Sequence, residues 1–158
     1  MHNTQLITMQ ELIKQFDQEV EKFSQQVASF PSKRRNEKYF DQWSLKDILA
    51  HLSGWAIYQQ QIISLFLDGH PGDSTVDIQT QNREAVTKRE KMDWEETYTE
   101  WQKSVRALSS QYGSIPESML DKSVFSNKSK TPFKLLQIEV NHLKDTHGPQ
   151  LKKVLEHL

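Results

Sequence analysis

The sequence predicts an all-α protein built as a four-helix bundle with a broken third helical segment. Three observations carry this prediction. Only five glycines and five prolines occur in 158 residues, so few positions interrupt regular structure. Apolar residues recur at three- and four-residue spacings almost throughout, which is the period of one helix face. Capping signals stand ahead of the periodic runs, where the first backbone N–H groups of a helix need partners. A chain of this length suits one domain, residues 1–158, with roughly 68–70% of its unfolded surface buried. No repeat, low-complexity tract or linker divides it.

The first helix is expected to start at Thr8-x-x-Glu11, a capping box, with Ile7 and Leu12 at the staple positions. Leu12, Phe16, Val20, Phe23, Val27 and Phe30 then form one stripe, and Pro31 closes it. The second helix has Ser44 at its N-cap and Asp47 three residues on, with Trp43 and Ile48 as the staple. Its stripe runs through Ile48, Leu52, Trp55, Gln59, Ile62 and Phe66 to Gly69, a glycine placed to end a helix. Between residues 75 and 112 the spacing predicts two segments, because Asp93-x-x-Glu96 is a new start signal ahead of Trp94, Tyr98, Trp101, Val105 and Leu108. Residues 117–130 lack a period and predict loop with a short turn. Thr131 and Pro132 open the last helix as N-cap and first helical residue. Leu136, Val140, Leu143, His147, Leu151, Val154 and Leu158 form its stripe.

Composition excludes several functions. Without cysteine there is no disulfide, thiolate nucleophile or zinc-thiolate site, which leaves histidine and carboxylate as the strong metal ligands. Twenty basic residues against 21 acidic ones give a formal charge of −1, so no global field favours nucleic acid. The basic cluster Lys33, Arg34, Arg35 and Lys38 follows Pro31 and is expected to be a solvated loop. Met1–Thr8 has neither a basic nor an apolar leader region, and no apolar run reaches the ~20 residues of a membrane span. The expectation is a cytoplasmic protein with no membrane contact.

Two histidines fall beside apolar stripes of different helices: His51 in Ala50-His51-Leu52, and His147 between Leu143 and Leu151. A neutral imidazole there serves as a hydrogen-bonded core residue, as a metal ligand, or as a general acid or base. Gly148-Pro149 follows His147, and a proline inside a helix removes a ladder bond and crowds the carbonyl of Asp145. His142 lies five residues before His147, about 140° around a straight helix, so the spacing predicts that these two do not share one ion. Glu139 and His142 form an isolated E-x-x-H pair, and Glu139, Leu143 and His147 align at four-residue steps. Tyr58, Asn82 and Glu84 are candidates for a pocket rim, Tyr58 as a residue that orients substrate.

Trp43-Ser44, Asp47 and Ala50-His51-Leu52 resemble the DinB superfamily of four-helix bundles. The continuation to Gly54-Trp55, Gly69 with Pro71, and the Asn82–Val86 segment looks like its ClbS/DfsB branch. The resemblance implies a DinB-like bundle, commonly dimeric, with a divalent nickel or zinc ion held by three histidines. One comes from the second helix, matching His51, and two come from the last helix at i, i+4. His147 matches the later of these, whereas Leu143 occupies the other, so that either the metal site is lost or His142, Glu139 or a water substitutes as the third ligand. Relatives include hydrolase-like enzymes, thiol-dependent transferases and a self-resistance protein that opens an electrophile. The expected partner is therefore a small, electrophilic molecule bound near His51 and His147, with His51, His147 and Tyr58 as the catalytic candidates. A binding module without turnover is the alternative. A homodimer joined through Trp94, Tyr98 and Trp101 is a further expectation.

Overall fold

The computed structural model describes residues 7–158, so the reading of the first six residues as free of a leader lies outside it. Helix α1 (Met9–Ser29) starts where Thr8 accepts a hydrogen bond from the Glu11 N–H at 3.1 Å. It buries Leu12, Phe16, Phe23 and Val27 and ends before a 3₁₀ turn at Ser32–Arg34. Burying each such side chain contributes about 1.5–3 kcal/mol, which is why the stripe decides the helix's orientation. The basic cluster after it is not wholly solvated. The guanidinium of Arg35 lies 4.4 Å from the centroid of the Trp94 ring, a cation–π contact that the loop reading did not anticipate.

Helix α2 (Leu45–Leu67) has a complete capping box: Asp47 N–H donates to Ser44 Oγ at 3.1 Å, and Ser44 N–H donates to Asp47 Oδ2 at 3.0 Å. Its burial exceeds the single stripe, because Leu45, Leu49, Ala50, Ser53, Gly54, Ala56 and Ile63 are buried as well. Helix α3 (Ile78–Lys88) packs on one side of it and helix α4 (Trp94–Gly113) on another. Gly54 permits the α3 contact, since a Cβ at this position would stand 2.4 Å from the Cβ of Ala85. Gly69 takes a φ of +81°, the left-handed conformation that ends α2.

Asp93 caps α4 by accepting from the Glu96 N–H at 2.8 Å, so the third segment is broken at the expected place. Trp101 is fully buried and meets Phe23 edge-on at 5.6 Å. Of the three rings expected on a dimer face, Trp101 belongs to the chain's own core, while Trp94 and Tyr98 pack against that core and stay half-buried, because the α4 stripe faces α1 and α2. A second 3₁₀ turn, Glu117–Met119, is the short turn of the connection. Thr131 then caps helix α5 (Pro132–Asn141), accepting from the Lys134 N–H at 3.3 Å.

The last helix is not one regular helix. A π turn at His142–His147 joins α5 to helix α6 (Gly148–Leu155). Helix α1 packs against α4, α5, the π turn and α6, whereas α2 and the last helix approach each other less closely. Long polar side chains fill that wider seam. Gln59 meets Glu139 and His51 meets His147, so residues advancing along α2 pair with residues receding along the last helix, and the two run antiparallel. Among the described residues, no helix is long and apolar enough to cross a membrane.

Candidate functional site

The π turn has a local chemical cause. Pro149 carries no N–H and its ring would crowd the carbonyl of Asp145 in a regular α-helix, so the preceding turn widens. The Gly148 N–H closes this wide turn on the carbonyl of Leu143, five residues back. A Cβ on residue 148 would sit 2.6 Å from that same oxygen, so the closure needs glycine. From α1, Gln26 Nε2 donates to the Gly148 carbonyl at 3.0 Å and ties the widened turn to the bundle.

Widening the turn brings residues five apart onto one face. The ring centroids of His142 and His147 are 5.6 Å apart, and those of His51 and His147 are 5.3 Å apart. The expectation that His142 and His147 diverge is therefore corrected, because it assumed a straight α-helix. Leu143 instead joins the apolar core, and the four-residue alignment of Glu139, Leu143 and His147 is lost through the extra residue in the turn. Three imidazoles from two elements thus converge at one end of the α2 seam. His51 and His147 are buried, while His142 is half-buried and opens the group toward solvent.

Hydrogen bonds and burial set the state of these rings. The Nδ1–H of His147 donates to Gln150 Oε1 at 3.1 Å, which leaves Nε2 as the nitrogen with a free lone pair. His51 Nδ1 is buried without a partner, an orphaned polar atom beside the other two rings. Trp43 covers His51 at a centroid distance of 5.0 Å. Burial first, then the proximity of His147 and His142, lowers the pKa of His51 to about 3 against a weaker opposing bond from Asn82. Burial and His142 lower His147 to about 4, and burial lowers His142 as well. All three are neutral at pH 7, the form in which imidazole ligates metal or accepts a proton.

The donor set suits a divalent ion in kind, since all three side chains are neutral imidazoles. Imidazole nitrogens held at about 2.0–2.1 Å by one tetrahedral ion leave their ring centroids about 5 Å apart. Among the described residues, however, no group of three or more histidine, cysteine or carboxylate side chains is placed to hold a metal ion.

The other expected residues lie around this group. Asn82 Oδ1 accepts from the Trp55 indole N–H at 2.6 Å, which fixes the Asn82 amide close to His51. Tyr58 lies two helical turns beyond His51 and lines a separate cavity of about 140 Å³ with Gln81, Glu84 and Arg89. Glu139 turns into the core, where it accepts from Gln59 Nε2, and Gln59 Oε1 accepts from the Tyr112 hydroxyl at 2.9 Å. Burial raises Glu139 to about 7, and burial together with Glu139 raises Tyr112.

Sequence reasoning missed Gln150 as the partner of His147, Gln26 as the clamp on the turn, and the Tyr112–Gln59–Glu139 chain. Gln150 stands three residues after His147, a spacing at which helical side chains meet, so that signal was present. Gln26 gave none, because its contact spans the fold. No family model, curated protein or solved structure matches the chain.

Proposed function

We propose that this chain is a DinB-like bundle of the ClbS/DfsB kind in which His51, His142 and His147 form a divalent metal site, with zinc or nickel as the ion. The observation that supports this reading is the π turn, which brings the His142 ring to 5.6 Å from that of His147. A bound ion there would supply Lewis acidity toward an electrophilic substrate. The chain's own groups do the rest. Gln150 holds His147 in the tautomer that leaves the Nε2 lone pair free. Trp43 excludes water from His51, which strengthens every polar interaction on that side. Half-buried His142 provides the solvent-facing side by which a small molecule arrives.

The reaction proposed is a hydrolase or thiol-dependent transferase step on a small electrophile, in the cytoplasm, without nucleic acid or membrane. A homodimer agrees with this reading but is not required by it, since all three histidines come from one chain. With the zinc-loaded full-length protein, turnover of 4-nitrophenyl acetate and of 1-chloro-2,4-dinitrobenzene with added thiol tests the reading. Activity lost in His51→Ala and His147→Ala, with unchanged thermal midpoints, supports an enzyme. An electrophile bound stoichiometrically and recovered intact would instead make the protein a non-catalytic binding module.

A further inference from the structure

A second cavity, of about 420 Å³, lies between the Tyr39–Phe40 loop and one face of α6 with its C-terminal turn. Its volume is in the range of small-molecule sites. Tyr39 and Phe40 form one wall, and Gln150, Lys153, Val154 and His157 form the other. These four positions follow the i, i+3, i+4, i+7 pattern of a single helix face.

Both walls reach the histidine group. On the α6 side, Gln150 Oε1 accepts from His147 Nδ1 at 3.1 Å. On the loop side, Phe40 and Trp43 exchange backbone hydrogen bonds of 3.0 and 3.1 Å, and the Trp43 ring lies 5.0 Å from His51. Asp41 supplies the positive φ, +63°, that this two-residue turn needs, and its carboxylate is the acidic side chain lining the cavity.

The lining specifies a ligand class. Because His147 engages Gln150 Oε1, the Gln150 Nε2 is left as its donor, and Lys153 three residues on adds a charged donor on the same face. Both call for an acceptor, and a carboxylate satisfies two donors at once when seated on the α6 wall, away from the Asp41 carboxylate on the loop wall. The rings of Tyr39 and Phe40 opposite Val154 suit a flat apolar body. We propose that this cavity binds a small aromatic carboxylate, its ring between the loop aromatics and Val154 and its carboxylate on Gln150 Nε2 and Lys153 Nζ. Gln150 is then shared between ligand and His147, so occupancy is felt at the histidine group. Treating that ligand as a substrate rests on the reading of the histidines as the functional site; the binding itself does not.

Titration of the full-length protein with 2-naphthoate, followed by its fluorescence, tests this. Saturable 1:1 binding is expected, at least tenfold weaker for methyl 2-naphthoate, and at least tenfold weaker in Lys153→Glu and in Val154→Asp. These positions are exposed and half-buried, so both variants should fold, as circular dichroism will verify. The ligand should shift the His147 imidazole NMR signals in the wild type and not in Gln150→Leu. Absence of saturable binding below millimolar concentration, or equal affinity in the wild type and both variants, would overturn the proposal. Zinc titration of the same samples separates it from the metal reading. Naphthoate binding without zinc binding upholds the cavity and removes the metal site, and zinc binding without naphthoate binding does the reverse.

Discussion

His142 and His147 are five residues apart, yet their ring centroids stand 5.6 Å from each other on one face of the last helix. In a straight α-helix the same pair would diverge by about 140°. The six residues that they bound form a π turn, and the His51 ring completes the group 5.3 Å from His147. Register, more than residue type, makes this a candidate site.

Gly148→Ala is expected to break the register. The new Cβ would lie 2.6 Å from the Leu143 carbonyl oxygen, a backbone atom that cannot swing aside while it accepts the closing bond of the turn. Overpacking of this kind costs about 1–3 kcal/mol, larger than the helix-propensity gain of about 1 kcal/mol from glycine to alanine. Chemical denaturation should show this loss. The NMR signals of His142 should move more than those of His51, because His142 sits on the turn itself.

Removal of the buried carboxyl should change how stability depends on pH. Glu139 has a pKa of about 7 in the folded chain against an ordinary 4.5, so its stabilising contribution is complete below 4.5 and is lost as pH rises through 7. Linkage puts the swing at about 3 kcal/mol at most. The buried histidines have the opposite sign: with His51 at about 3 and His147 at about 4, their contribution is present above 6.5 and is lost on acidification. Glu139→Gln removes only the first effect. Thermal midpoints measured from pH 5 to 8 should therefore show the wild type losing stability relative to the variant as pH rises. Parallel curves would mean that Glu139 is ionised throughout that range.

Gly54→Ala should push α3 off α2, because the added Cβ would stand 2.4 Å from that of Ala85. The bond from Trp55 to Asn82 crosses the same contact, so Trp55 fluorescence should report the displacement along with a loss of about 1–3 kcal/mol. In a double-mutant cycle, Ala85→Gly should recover most of that loss in the Gly54→Ala background. Additive losses would place the clash elsewhere.

Much of the fold was legible because its signals are local. Thr8, Ser44, Asp93 and Thr131 each accept the backbone N–H three residues on, as their side chains and spacings foretold. His51 and His147 were legible as neighbours of apolar stripes on two helices. What failed was the assumption of a constant helical period: Gly148-Pro149 was visible as a disturbance, but not as one that widens the turn before it rather than kinking the helix after it. The Gln59–Glu139 pair depends on which helices meet, and no spacing within a single helix encodes that.

The most direct test of the site is zinc affinity, measured by competition with a chromophoric chelator, for the wild type, His142→Ala and Leu143→Met. Near-stoichiometric zinc is expected in the wild type, with at least a tenfold loss in His142→Ala and wild-type affinity in Leu143→Met, whose side chain belongs to the core. A wild type that binds no zinc or nickel, or one whose affinity is indifferent to His142, would contradict this metal site.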